Sequence, residues 1–537
     1  MSKTFVKRKT LLAMAAALVA NITTTQTAQA EPCVKVYEHS NYKGDVNTLC
    51  PGSSKVTGFS MSSFPNDSIS SISVPEGLAV EGCEHSDGSG QCRTYFTSSS
   101  YVGSKFNDEF SRIRVIRFNY DDFMMTISSD PQYPWSCGAS GGSCDDTSIA
   151  DRDNERQVAS MNAILSNYGK SRVAGSIING DLTAFGHDWQ FDKYREFYED
   201  DLKINNYAGL GNHDIENNVN DCWENNCATR MANYLEGQVN SLNVKRFDYR
   251  VSGSYYKFPA YRKDHNGSMA YSWDVGDVHF VQLNNHPIYT TNWNGWNFGS
   301  ALRDYFNISS ALSWLRSDLR DAANEGKKII LNFHDWNASA YNSEFMQILK
   351  DYNVSAIFAG HIHSTIGKVS QYTDLHGPGK HLPVFRSGSV VYHDYLLAQF
   401  KNDQLIVKQV DSSNGSNYSL STVGTYPMYG NATKSLSGSW SSSGGRNTSH
   451  SGNPSYGFKL DSNQSVTFNL TSSIDTYLYL KDAKGNVIGS NDDGGNGYNS
   501  RLTKNLSAGN YSLVAATYSS GKSGSFNLST NPGSLIH

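Results

Sequence analysis

Five short stretches of the sequence share one layout, an apolar run that closes on side chains carrying oxygen or nitrogen lone pairs. They are TISSDPQ (126–132), SIINGDLTAFG (176–186), AGLGNHD (208–214), IILNFHD (329–335) and AIFAGHIHS (356–364). The runs end on Asp130 and Gln132, on Asp181, on Asn212, His213 and Asp214, on His334, and on His361 and His363. Carboxylate, amide and imidazole groups are ligands for divalent cations. Apolar, β-prone runs predict buried strands, and donors just past strand ends sit where α/β proteins place their sites. Any one of these stretches alone is most often a turn; five of them in this order point to a metal centre. Gln132 stands out, because histidine would be ordinary two residues after such an aspartate. Glutamine carries the same charge as neutral histidine, but its amide oxygen is a harder and weaker donor. It is therefore expected either to hold its metal loosely or to hydrogen-bond a water there instead of coordinating.

Elements of the right kind lie between the stretches. DNERQVASMNAILSNYG (153–169) has apolar spacing near 3.6 and ends in glycine. SSALSWLRSDLRDAANEG (309–326) opens on a serine cap and closes on Gly326. At 537 residues the chain is too long for one core, and two to four domains are expected. Lys3, Lys7, Arg8 and Lys9 precede LLAMAAALVA, and the segment closes on Ala28-Gln29-Ala30. That is the pattern of a secretory signal (residues 1–30), with an apolar core too short to span a bilayer. The expected location is therefore secreted, periplasmic or extracellular, with no membrane span. Beyond the signal, 41 Lys and Arg face 50 Asp and Glu, a net charge of −9. Such a balance argues against nucleic-acid binding through phosphate contacts. The eight cysteines fall into four local pairs, 33/50, 83/92, 137/144 and 222/227, and an even count in an exported chain favours disulfides.

Together the five stretches resemble the motif series of the calcineurin-like metallophosphoesterase superfamily: Asp-x-His, Gly-Asp, Gly-Asn-His-Asp/Glu, a lone histidine after a strand, and Gly-His-x-His. YSWDVGDVHFVQLNN (271–285) looks like that family's central hairpin, and SWLRSDL like the helix before the fourth motif. The resemblance covers residues 118–412 and implies a four-layer α/β/β/α sandwich with its ligands on loops at one end. It implies two divalent ions, drawn from manganese, iron, zinc or magnesium, bridged by Asp181. Asp130, Gln132 and His363 would complete the first, and Asn212, His334 and His361 the second. The implied reaction is hydrolysis of a phosphoester by in-line attack of a metal-bridging hydroxide. His213 matches the residue that stabilises the transition state or protonates the leaving oxygen, and Asp214 is expected to orient its imidazole. Tyr133 and Trp336, just past ligands, and His393 in VYHDY are candidates for substrate contact.

Residues 31–117 contain a duplication. YEHSNYKG (37–44) recurs as CEHSDGSG (83–90), and NDSISSI (66–72) as NDEFSRI (107–113). This resembles the betagamma-crystallin Greek-key domain, whose calcium signature is two Asn or Asp, two variable residues, then Ser/Thr-Ser. Asn66, Asp67 and Ser70 fit it, as do Asn107, Asp108 and Ser111, although Arg112 puts a cation where a small hydroxyl belongs. Structural calcium is the ligand this resemblance implies. Residues 413–435 read as a Ser/Asn/Gly-rich linker. From 436 to 537, alternating strands with turn signals predict a β-sandwich that resembles the bacterial pre-peptidase C-terminal domain. Asp475, Asp492 and Asp493 are further calcium candidates, against turn duty, and the module offers attachment to a surface or polymer.

The reading that best fits these features is a secreted dinuclear phosphatase acting on phosphomonoesters. Phosphodiesterase or nucleotidase action on the same site is the alternative. A binding or adhesive protein with a decayed metal site is the rival from another class, and Gln132 is its one supporting defect.

Overall fold

The computed structural model describes residues 32–531 except 53, 57–66, 76, 138–143, 258–259, 298–301, 376–378, 430–433, 447–451, 461–463 and 496. The segment expected to be a secretory signal (residues 1–30) and Asn66 lie outside the described residues. No described helix is long and apolar enough to cross a membrane. The four local cysteine pairs are disulfide-bonded, as the spacing suggested.

In the N-terminal region the two copies exchange strands. The first copy's Ser54–Val56 pairs with Arg112–Arg117 of the second, and Ile72 exchanges backbone hydrogen bonds with Ser99. Neither copy can bury its apolar face alone, so Val34, Val36 and Ile72 of one pack with Tyr95, Phe106 and Phe110 of the other.

The central region is built on two sheets. In the six-stranded sheet, Asn206–Gly209, Val173–Asn179 and Asp122–Ser128 run parallel, and the antiparallel Asp394–Lys401, Gln404–Asp411 and Ser419–Pro427 follow. The seven-stranded sheet contains the expected hairpin, Tyr271–Val275 against Val278–Gln282. The strand Lys328–Phe333 then runs parallel to Val278–Gln282 and to Val354–Ala359. Side chains of alternate parity serve two cores. Phe280, Ile330 and Phe358 meet Phe123, Met125 and Ile127 of the first sheet. Val281, Leu331 and Ile357 pack instead with Leu315 and Leu319 of the Leu312–Asn324 helix and with Ile348 of the Ser343–Asp351 helix. On the other side, the helix Thr147–Tyr168 contributes Val158, Met161 and Ile164 to the first core and ends at Gly169, whose φ is +81°.

Two sequence expectations change here. The cap of the Leu312–Asn324 helix is Ala311, and the Ser310 hydroxyl lies outside it, accepting from the Leu312 N–H at 3.4 Å. The stretch read as a linker, 413–435, includes the edge strand Ser419–Pro427. Leu420, Val423 and Tyr426 pack onto the central core, with Tyr426 edge-on to Phe385 at 5.1 Å. An edge strand with one wet face needs so few apolar residues that its composition resembles a loop.

A five-stranded sheet within residues 250–308 was not foreseen. Beyond Lys434 two four-stranded antiparallel sheets enclose Trp440, Phe458, Phe468, Leu478 and Phe526, giving the expected β-sandwich.

Candidate metal centre

The parallel strands of both sheets end at one place, and their ends deliver the donors. Asp130 follows Asp122–Ser128, Asp181 follows Val173–Asn179, Asn212 follows Asn206–Gly209, His334 follows Lys328–Phe333, and His361 and His363 follow Val354–Ala359. One donor atom each from Asp181, His334 and His361 lie within 4.8 Å of one another, and so do one each from Asp130, Asp181 and His363. Asp181 is common to both groups. Asn212 joins the first, its Oδ1 at 3.0 Å from His334 Nε2 and 3.1 Å from His361 Nδ1. His363 Nε2 stands 3.2 Å from Asp130 Oδ1.

The backbone at these positions is unusual. Asp130, Gln132, Asp181 and His361 have φ of +53°, +39°, +51° and +72°, a left-handed conformation that side chains other than glycine rarely adopt. Close packing also restricts the motif glycines. A Cβ on Gly211 would fall on the Asp181 carboxylate, and one on Gly360 would fall on the Ser129 hydroxyl.

The donors do not satisfy one another. His334 Nδ1 lies 2.8 Å from the Asn179 carbonyl oxygen and must carry its proton there, so Nε2 presents a lone pair. That lone pair faces Asp181 Oδ2 at 3.0 Å, Asn212 Oδ1 at 3.0 Å and His361 Nδ1 at 3.2 Å. Both amide atoms of Gln132 are buried without a hydrogen-bond partner, and Asp130 Oδ1 has only ion-pair contacts, the closer one with His363. A knot of buried acceptors with so few protons is repulsive unless a cation sits among them. The residues therefore fit divalent metal, and neighbouring carboxylates and imidazoles register the crowding. Without a cation the alternative is a second proton on His334: burial pushes its imidazole down, but Asp181 and Asp130 outweigh it and raise it to about 10. Burial pushes Asp130 up, but His334 and His363 bring it to about 2.

His213 lies beside the centre. Its backbone N–H donates to Asp181 Oδ1 at 2.8 Å, and its Nδ1 is 2.9 Å from the Ala184 carbonyl oxygen. The ring is thus held by a backbone carbonyl, not by Asp214 as the motif led one to expect. Asp214 is fully buried and instead accepts from the backbone N–H groups of Leu182, Thr183 and Gly211 at 2.9–3.1 Å. Its role is to fold the Asp181 and Asn212 loops against each other. Burial, with the Asp181 anion adding to it, pushes Asp214 up to about 7.

The three expected substrate residues lie elsewhere. Tyr133 is 2 % exposed and packs against Phe197 and Trp189. Trp336 is 5 % exposed, against Phe333 and Tyr372. His393 Nε2 pairs with Asp153 Oδ2 at 3.1 Å and so braces the Thr147–Tyr168 helix. The aromatic side chains that do face the centre are Trp135, edge-on to His213 at 5.2 Å and to His363 at 5.7 Å, and Phe185, 6.1 Å from His213. In sequence they were two of several aromatics near the motifs, and nothing marked them out. Arg386, 3 % exposed, was also missed; its guanidinium donates to the Gly360 carbonyl and steadies the last ligand loop.

The model of the calcineurin-like phosphoesterase family matches residues 129–365. These residues form a calcineurin-like phosphoesterase domain. The phosphoesterase domain contains all seven proposed metal ligands and His213. Purple acid phosphatase 23 of Arabidopsis thaliana is 25% identical over 158 residues, 27% of this chain and 30% of its own length. The chain thus spans less than a third of that curated relative. Outside the phosphoesterase domain, a betagamma-crystallin domain from Clostridium beijerinckii is 29% identical, covering 16% of this chain and 97% of its own, with a TM-score of 0.14. A betagamma-crystallin domain from Flavobacterium johnsoniae is 27% identical, covering 16% and 93%, with a TM-score of 0.15.

In the N-terminal region the two candidate calcium segments face each other. Ser111 Oγ donates to Asp67 Oδ1 at 3.0 Å, Ser70 Oγ to Asp108 Oδ1 at 3.4 Å, and Asn107 Nδ2 to Asp108 Oδ2 at 2.7 Å. Arg112, which the sequence set in the way of the second site, turns aside and donates to the Asp87 carbonyl at 2.7 Å. Asp475, Asp492 and Asp493 of the β-sandwich also approach one another.

Proposed function

We propose that the chain is a secreted, dinuclear metal-dependent phosphatase that hydrolyses phosphomonoesters on the four-layer scaffold implied by its motifs. The observation that carries this reading is the convergence of buried Asp130, Asp181 and His334 with half-buried Asn212, His361 and His363, as acceptors lacking enough protons to satisfy them. Asp181, shared by both groups, would bridge the two ions. Asp130, His363 and Gln132 would hold one, and Asn212, His334 and His361 the other. Bound there, two dications supply Lewis acidity to the phosphoryl oxygens and lower the pKa of a water toward neutrality.

The chain's own groups do the rest. His213, its Nδ1 fixed on the Ala184 carbonyl, leaves Nε2 to hand a proton to the departing oxygen. Trp135 and Phe185 flank that imidazole and keep bulk water from it. The unpartnered, buried amide of Gln132 suits either weak ligation or a hydrogen bond to a water on the ion. The four disulfides fit an oxidising compartment outside the cytoplasm. The crossed Asp67–Ser111 and Ser70–Asp108 pairs offer hard oxygens for structural calcium.

The similarity to a purple acid phosphatase supports monoesters over diesters. An assay of nitrophenyl phosphate, bis-nitrophenyl phosphate and nucleotides under defined manganese, iron, zinc or magnesium loading tests this. Faster turnover of the monoester is expected. A preference for the diester would make the chain a phosphodiesterase, and inertness toward all of them under every metal would favour the binding-protein reading.

A further inference from the structure

Outward from His213 the wall of the centre continues as a line of rings. Phe185, 39 % exposed, stands 6.1 Å from the His213 ring and 6.0 Å from that of His187. His187 opens onto a cleft of about 280 Å³ that is also lined by Trp189, Trp223, Arg230 and the Cys222–Cys227 disulfide. Trp189 is 48 % exposed and Trp223 72 % exposed. Trp189 and Trp223 thus both present indole surface to the cleft beside the centre. Both are held ready. Trp189 rides on the Asp188–Arg195 helix and leans edge-on against buried Tyr133 at 5.8 Å. The disulfide ties the loop carrying Trp223 to the Asn226–Ser241 helix.

The charges in the cleft are already spent. Arg230 pairs with Asp188 and donates to the Gly186 carbonyl at 2.6 Å. Among the described lining residues Arg230 is the one Lys or Arg, and its guanidinium is already paired, so the cleft suits a flat, uncharged ring. Its size suits one ring system and not a polymer. Its position, two ring contacts beyond His213, suits a ring separated from the phosphate by a short spacer.

We propose that Trp189 and Trp223 form a subsite for the aromatic group of an organic phosphate, stacking a flat ring held a short neutral spacer away from the phosphoryl group. This rests on the phosphatase reading of the neighbouring centre.

AMP and ribose 5-phosphate make the test, because they share one leaving alcohol and differ only in the base. In the metal-loaded protein, KM for AMP should be about tenfold or more below that for ribose 5-phosphate, as stacking on an aromatic side chain provides. The double variant Trp189→Ala/Trp223→Ala should lose that advantage while its ribose 5-phosphate kinetics stay unchanged. Equal KM values in the unaltered protein, or an advantage that survives the double variant, overturn the subsite. Adenosine, which has no phosphate, gives a reading independent of turnover: it should quench the fluorescence of the unaltered protein, and the same titration read by calorimetry should show binding lost in the double variant. If adenosine binds in this tryptophan-dependent way and no phosphoester is hydrolysed, the subsite stands and the phosphatase reading falls. If adenosine does not bind, the subsite falls whatever the rate on simple esters.

Discussion

His279 lies on one strand of a sheet and His334 just past the end of the adjacent strand, both at most 1 % exposed and both among carboxylates, yet their surroundings differ in kind. His279 has a carboxylate on each nitrogen, Asp274 at 2.7 Å from Nδ1 and Asp318 at 2.9 Å from Nε2. A doubly protonated ring satisfies both, and Lys245 and Lys327 share Asp274. His334 has one nitrogen on a carbonyl and the other facing a carboxylate, an amide oxygen and a second imidazole. One proton closes the first arrangement and cannot close the second. The first is a structural ion cluster, while the second asks for metal.

Several substitutions would break or sharpen this contrast. Outside the ligand set the largest effect is expected at His213, whose geometry suits proton transfer and not metal holding. His213→Ala should lower kcat by roughly 10²–10⁴ with metal content unchanged; loss of metal in parallel would move His213 into the ligand set.

At His279 the readout is stability. Burial pushes its imidazole down, but Asp274 and Asp318 outweigh that and lift it to about 9. The folded value lies above the unfolded one, so the stabilisation is complete below about pH 6.5 and is lost as pH rises through about 9. Denaturant unfolding should show a decline on the order of 2–3 kcal/mol across that window. His279→Gln should flatten the decline without releasing metal. A variant as pH-dependent as the parent protein would show that other groups set the slope.

The mildest change is Gln132→His. It should slow the loss of metal to a chelator, since imidazole is the stronger donor. Unchanged retention would mean that Gln132 serves a water and not the ion.

The sequence made the site legible to a degree set by how local each signal is. Donors such as Asp181 and His361 follow apolar strands directly, so chain order alone located them. The helix ending at Gly169 and the four disulfides were visible because each depends on residues close in the chain, the disulfide partners being 5 to 17 residues apart. What sequence missed depends on contacts between distant segments. Asp214 follows His213 in the chain, but the backbone amides of Leu182 and Thr183 claim its carboxylate. Tyr133 and Trp336 adjoin ligands in sequence, yet their rings turn into the core, and it is the neighbouring, half-buried Trp135 that meets His213. The edge strand Ser419–Pro427 was taken for a linker because only one of its faces is apolar.

Metal content, measured by plasma mass spectrometry after loading and exhaustive dialysis, tests the centre most directly, with Asp181→Asn alongside the unaltered protein. The account predicts about two divalent ions per chain in the unaltered protein and a clear deficit in the variant, with turnover lost. Failure of the unaltered protein to retain any metal, or equal retention by Asp181→Asn, would contradict it.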